Sequence, residues 1–218
     1  MSGQSQKHGF SLENDVRSKV FDLPKEKNNT DKYDIPKNKN KYNKNENCSI
    51  KTTGSKTICC SDILNFYNYD FTETNTMIVI VYEQQTETHK VIKNIYEINY
   101  NADCHKLLFG DLPKEVIEDY VTKVKSIPKK TKGKEAIKIF DYLSEKAKIK
   151  KEYPHVISIN PKVDSSQSRV HCSITNFEIT LKDFIIYKSS SDAPNLVRGC
   201  EIISSLESSK RARNKKSK

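Results

Sequence analysis

The sequence predicts an α/β protein with a β-sheet at its centre, on the evidence of one buried strand, its pairing partner and several amphipathic helices. Residues 76–82, TMIVIVY, form a short, continuous, β-branched apolar run, which is typical of a buried strand. Residues 88–99 alternate around Val91, Ile95 and Ile98, and we expect them to pair with that strand as a hairpin.

The other elements follow from local signals. Leu12, Val16 and Val20 recur at helical spacing behind a Ser11 cap, which predicts a helix over residues 11–22. Further helices are expected to begin at Ser61-Asp62 and to span residues 114–126 and 134–150, and extended segments are expected at residues 32–35, 48–53, 156–159, 169–175 and 184–187. We expect a flexible lead over residues 1–9, one domain over residues 10–206, and a flexible basic tail over residues 207–218 that is too polar to order itself.

Charge and length narrow the class of protein. The chain has 218 residues, which suits one domain of ordinary size, and a formal net charge of +10, which favours a phosphate-bearing partner or an anionic membrane surface. No apolar segment approaches the length of a membrane span, and the N-terminus lacks the apolar run of a signal peptide. We therefore expect a soluble, cytoplasmic protein.

The six cysteines do not suggest a metal or disulfide framework. None forms a C-x-x-C pair, and the five histidines are scattered away from them. Cys59 and Cys60, beside Ile58, are most simply interpreted as small core residues.

An acid and a lysine on two neighbouring predicted strands point to phosphodiester chemistry. Asp34 lies at the end of the segment at residues 32–35, and Lys51 lies within the segment at residues 48–53. Mg²⁺ held by a carboxylate neutralises charge on a phosphate and activates water, while a lysine orients that water. Two simpler interpretations stay open: Asp34 favours a turn before Pro36, and Lys51 is a solvated strand residue.

The motif resembles the PD-(D/E)XK nuclease superfamily, specifically its type II restriction endonucleases. The resemblance rests on residues 10–16, FSLENDV, as a helix carrying an acid, on residues 33–35, YDI, and on residues 49–51, SIK. It implies a restriction-endonuclease-like fold, with a central mixed β-sheet flanked by helices.

The same resemblance implies the roles of individual residues. Asp34 would be a Mg²⁺ ligand and Lys51 the catalytic lysine. Ser49 departs from the family pattern, because it stands where the second catalytic acid is usual. Glu13 on the helix or Glu46 before the strand would then supply the missing carboxylate, with Glu13 preferred. Glu13 also stands four residues before Arg17, so an exposed ion pair between them is the alternative.

A downstream segment, residues 160–174, resembles the polar loop and strand with which restriction enzymes contact bases. Arg169 can engage guanine and Gln167 can engage adenine through paired hydrogen bonds. Lys129, Lys130 and Lys132 would contact phosphates, which position the protein without specifying sequence. An ordinary polar loop and a solvated lysine cluster are the competing interpretations.

Together these features predict a Mg²⁺-dependent, sequence-specific endonuclease of double-stranded DNA that leaves 5′-phosphate ends. Double-strand cutting implies a homodimer or two successive nicks, and a specific cutter implies a partner DNA methyltransferase that protects the host genome. The alternatives are a repair nuclease of low sequence specificity and a basic nucleic-acid-binding protein without catalysis. No membrane partner is expected. The phosphate-loop and G-x-S-x-G motifs are absent from the sequence.

Overall fold

A computed structural model describes residues 3–25, 32–86, 88–164 and 167–207, with residues 3–10 and 167 described by their backbone only. The chain is a mixed α/β protein that divides into two compact units. Unit 1 draws on Met1–Ser55, Glu73–Asn99 and Ile185–Lys218, and unit 2 on Lys56–Thr72 and Tyr100–Phe184. Among the described helices, none is both long and apolar enough to cross a membrane.

Helices and strands are intermixed along the chain. The helices are α1 (Gly3–Phe21), α2 (Ile63–Tyr67), α3 (Ala102–Phe109), α4 (Lys114–Ser126), α5 (Lys134–Ile139), α6 (Tyr142–Glu152) and α7 (Phe177–Thr180). The strands are β1 (Glu46–Thr53), β2 (Thr57–Asp62), β3 (Thr74–Gln84), β4 (His89–Asn99), β5 (Ser158–Asp164), β6 (Gln167–Thr175), β7 (Ile185–Lys188), β8 (Leu196–Val197), β9 (Cys200–Glu201) and β10 (Ser205–Glu207).

Unit 1 is built on a five-stranded mixed sheet. Strand β1 runs parallel to β3, and β3 pairs with β4 as the predicted antiparallel hairpin. The other edge of β4 takes β10 near its start and β7 near its end. Helix α1 packs Leu12, Val16 and Val20 against Ile50 and Ile78 of this sheet, and all five side chains are buried. The central sheet and its first helix therefore match the predicted α/β class.

Three predicted boundaries in unit 1 differ from the structure. Helix α1 begins at Gly3, so it includes most of the segment expected to be a lead. The segment expected at residues 32–35 makes only a single bridge, between Ile35 and Cys48, because Pro36 follows and cannot donate to a ladder. Glu207, the first residue of the predicted tail, ends β10, and residues 208–218 lie outside the described residues.

Unit 2 contains a three-stranded antiparallel sheet in the order β2-β6-β5. Helix α4 has the predicted bounds, whereas the helix predicted over residues 134–150 is two helices. Asp141 explains the interruption, because its side chain accepts a hydrogen bond from the Ser144 amide and caps α6 there.

Strand β2 and helix α3 were not predicted, although the helix start at Asp62 is confirmed. The Asp62 carboxylate caps α2 by accepting hydrogen bonds from the Leu64 and Asn65 amides. The preceding strand corrects one expectation about the cysteines: Cys60 is buried but Cys59 is exposed. Successive strand residues point to opposite faces, so the two cannot both enter the core.

Burial lowers the pKa of His105 and of His155, two of the histidines of unit 2. The His105 ring stacks on Phe109 at 4.6 Å, and its Nε2 lies 3.1 Å from the Tyr67 carbonyl oxygen. Burial lowers the pKa of His105 more strongly than this hydrogen bond raises it. Burial also lowers the pKa of His155, followed by the charges of Lys150 and Lys146.

We expect the free energy of unfolding to decrease as pH falls from about 7 towards 5. An unfolded histidine takes up a proton near pH 6.5, whereas His105 and His155 resist protonation until a lower pH. The unfolded state therefore binds more protons in this window, and acid favours it. Urea denaturation at several pH values measures the slope, and His105→Gln is expected to flatten it. An unchanged slope in that variant would contradict the assignment to His105.

Candidate active site

Asp34 and Lys51 meet in unit 1, as the sequence predicts. The bridge between Ile35 and Cys48 lays the Asp34 segment against β1. Lys51 Nζ lies 3.7 Å from Asp34 Oδ2, and the main-chain amide of Ile50 donates a 2.6 Å hydrogen bond to the same oxygen. The side chain of Asp34 is 17% exposed and that of Lys51 is 18% exposed, so both are partly accessible to solvent.

Arg17 on α1 contacts the main chain of Asp34. Its guanidinium donates a hydrogen bond to the main-chain carbonyl of Asp34, and a second, at 3.5 Å, to the carbonyl of Pro24. The residue is 1% exposed. The expectation of an exposed Glu13–Arg17 pair is therefore wrong for Arg17. A buried arginine instead anchors the backbone that carries the acid.

Ser49 and Glu13 are the other two residues that the motif assigns to the site. Ser49 lies two residues before Lys51 on β1, on the same face of the strand, and is buried. It supplies a hydroxyl where the family pattern has a carboxylate. Glu13 lies one helical turn before Arg17 and is half-buried.

The prediction of Glu46 as a metal ligand beside Asp34 does not fit its position on β1. Strand alternation places Glu46 on the opposite face of β1 from Ser49 and Lys51. Both of its carboxylate oxygens are already bonded, to the Arg198 guanidinium at 2.7 and 2.8 Å and to Thr76 Oγ1 and Asn40 Nδ2. A carboxylate engaged in this way is not available as a metal ligand.

Arg198 binds a second carboxylate as well, and sequence reasoning missed it. Its Nε and Nη2 atoms donate to Glu97 Oε2 at 3.0 and 2.7 Å. Burial on its own raises the pKa of Glu46, but hydrogen bonds from Arg198 and Thr76 and the charge of Arg198 hold it below its usual value. The three charged residues form a buried ionic network that links the β8–β9 turn to the sheet.

The side chains near Lys51 suit Mg²⁺ only if the ion is bound through very few protein carboxylates. Within the described ranges, no group of three or more histidine, cysteine, aspartate or glutamate side chains is placed to hold a metal ion. Mg²⁺ is often bound through one or two carboxylates, with water and substrate phosphate completing its shell. Asp34 supplies one such carboxylate, so it fits as the anchoring ligand.

The predicted DNA contacts belong to unit 2, whereas the acid–lysine pair belongs to unit 1. Residues 160–174 form most of β5 and β6, with Gln167 as the first residue of β6. Arg169 is half-buried and its Nε atom is sealed from solvent. Lys129, Lys130 and Lys132 are exposed in the loop after α4. Ser168 Oγ holds that loop near β6 by donating to the Ile127 carbonyl at 2.9 Å.

Comparison with protein-family models, with curated proteins and with solved structures finds no match to this chain. Membership of a nuclease superfamily therefore stays a prediction from the motif.

Proposed function

We propose that the protein is a Mg²⁺-dependent endonuclease of DNA, with Asp34 and Lys51 at its active site. The observation that carries this proposal is the 3.7 Å approach of Lys51 Nζ to an Asp34 carboxylate oxygen that the Ile50 amide also orients. The two residues are separated by a long polar connection in sequence, and both remain partly exposed. Their proximity, together with their partial exposure, is what an acid–lysine active site would require.

Each residue has a role that follows from its chemistry. Asp34 would hold Mg²⁺, which supplies charge neutralisation at the phosphate and activation of water. Lys51 places a positive charge beside the phosphate oxygens and donates hydrogen bonds that orient the attacking water. The Ile50 amide and the buried Arg17 fix the position of Asp34, so that little reorganisation is needed when substrate binds.

The proposed substrate and oligomeric state follow from charge and from the need to cut two strands. The net charge of +10 and the exposed lysines after α4 favour a polyanion, and we propose double-stranded DNA. Sequence-specific cutting of both strands to 5′-phosphate ends would use the two active sites of a homodimer or two successive nicks, and would call for a protective methyltransferase partner. A repair nuclease with little sequence preference would use the same residues at Asp34 and Lys51.

The side chains of the motif favour a second candidate, a nucleic-acid-binding protein without catalysis. Ser49 contributes no carboxylate, Glu46 is engaged by Arg198, and the described residues contain no group of three or more side chains placed to hold a metal ion. In that case the Asp34–Lys51 contact would be a structural ion pair. The basic surface would then account for function on its own.

Incubation of the purified protein with plasmid DNA distinguishes these functions. We expect cleavage with Mg²⁺ and none with a chelator. Discrete bands support the sequence-specific enzyme, and a smear supports the repair nuclease. Retained DNA binding without cleavage, weakening steeply as salt rises, would contradict the enzyme and support the binding protein.

A further inference from the structure

One face of the sheet in unit 2 carries three cationic or protonatable side chains close together. In the register of the two strands, Lys162 on β5 lies directly across from Arg169 on β6, and His171 follows two positions along β6. Directly paired residues, and residues two apart on a strand, point to the same face. Val170 and Cys172 point to the opposite face, where both are fully buried. We call Lys162, Arg169 and His171 the cationic patch.

Two nitrogen atoms of the cationic patch are buried without a partner. Within the described residues, no group hydrogen-bonds to Arg169 Nε or to His171 Nδ1. His171 is 7% exposed, so bulk water does not readily solvate its ring. Buried polar atoms in proteins are nearly always hydrogen-bonded, and a bound water or ion is one explanation of an exception.

The charges around His171 indicate whether a bound group would be an anion or a cation. Burial lowers the pKa of His171, and the positive charges of Arg169 and Lys162 lower it further. Asp62, across from His171 on β2, acts in the opposite direction. The Asp62 carboxylate already accepts hydrogen bonds from two amides as the cap of α2. The single negative charge of Asp62 does not offset the two positive charges of Lys162 and Arg169, which face each other on adjacent strands.

We propose that the cationic patch binds a phosphate group. Arg169 and Lys162 would supply fixed positive charge, and the negative charge of the phosphate would favour protonation of the adjacent His171 ring. Arginine suits this role because its planar guanidinium matches two phosphate oxygens at once. The exposed lysines after α4, which Ser168 holds near β6, extend the positive surface.

This role for Arg169 differs from base reading, which requires a side chain free to enter a groove. A phosphate contact fixes the position of a nucleic acid but reads no sequence. The inference does not depend on cleavage, because Lys162, Arg169 and His171 belong to unit 2 and the acid–lysine pair belongs to unit 1. A binding protein without catalysis would use the same patch.

The test follows the imidazole signal of His171 by NMR through a pH titration of the full-length protein. Saturating inorganic phosphate is expected to raise the pKa of His171 by about one unit, because a bound anion favours the protonated ring; that shift corresponds to about tenfold tighter binding to the protonated form. His155 is the internal control and should not respond. His171→Gln assigns the signal.

Variants then show whether the patch itself is responsible. Arg169→Gln and Lys162→Gln are each expected to abolish most of the phosphate-dependent shift, while Lys150→Gln, near His155, should leave it intact. Amide spectra establish that each variant is folded, and Lys162→Gln alone suffices if Arg169→Gln does not fold. A shift that persists in the folded Lys162→Gln variant would overturn the proposal.

Three ligands identify the source of the phosphate group. Inorganic phosphate, a short oligonucleotide with a 5′-phosphate and the same oligonucleotide without it are compared. A response to all three supports contact with the phosphodiester backbone, and a response to the first two alone supports recognition of a terminal phosphate. No response of His171 to any of them would contradict the inference, whether or not the protein cleaves DNA.

Discussion

Replacing Lys51 with alanine is expected to reduce Mg²⁺-dependent DNA cleavage by about 10²–10⁴-fold, the range typical for loss of a group that positions a proton transfer. The Lys51 ammonium is the positive charge that the structure places at Asp34, with Nζ 3.7 Å from Oδ2. Its loss removes both the orientation of water and the stabilisation of charge on the phosphate. Initial rates of plasmid nicking under excess Mg²⁺ measure the effect.

Asp34→Asn is expected to lose at least as much activity, because a neutral amide holds Mg²⁺ poorly while it keeps the size of the side chain. A higher Mg²⁺ requirement in this variant, with DNA binding unchanged, would assign Asp34 to the metal. Activity near that of the unmodified protein in either variant would contradict the proposed site.

Lys93→Ala provides the matched control for these variants. Lys93 also pairs with an acid across two strands of the same sheet, with Nζ 2.6 Å from Glu83 Oε2, but both side chains are about half exposed. Removing it takes the same charge from unit 1 without touching Asp34. A general loss of positive charge would weaken cleavage equally in Lys51→Ala and Lys93→Ala, whereas a specific role affects Lys51 alone.

The acid–lysine pair was predictable because its signals are local. β-Branched residues around Lys51 predict a strand, and Asp34 before Pro36 predicts the end of an extended segment. The antiparallel approach of the two segments is then expected because they are consecutive along the chain and joined by one polar connection, residues 37–47. Local signals did not place Glu46, whose proximity in sequence suggested it as a metal ligand. Its place on the opposite face of β1 follows from strand alternation, but only once the strand is known to begin at Glu46.

The supporting residues depend on contacts that local patterns do not encode. Arg17 looked like half of an exposed helical pair, because i,i+4 spacing cannot show that the helix turns this face towards the Asp34 backbone. Arg198 reaches Glu46 and Glu97 from a turn far along the chain. Buried partners of this kind become visible only when the strands and the turn have been placed.

The buried ionic network leads to the second large prediction. Arg198→Met is expected to lower the free energy of unfolding by about 3–5 kcal/mol, because it leaves the carboxylates of Glu46 and Glu97 buried without their counter-charge. Removing the charges of both acids in the same background, with Glu46→Gln and Glu97→Gln, should restore part of that loss. Urea denaturation at pH 7 measures each variant.

The pH dependence of this effect has a definite sign. In the unmodified protein the pKa of Glu46 lies below its usual value, so its contribution to stability is present above about pH 4.3 and is lost as acid protonates it. Without Arg198, burial raises the pKa of that carboxyl, and the folded variant takes up a proton at a higher pH than the unfolded chain does. The difference in stability between the two proteins should therefore narrow as pH falls from 7 towards 5. A constant difference, or a loss below about 1 kcal/mol as for an exposed pair, would show that the network contributes little.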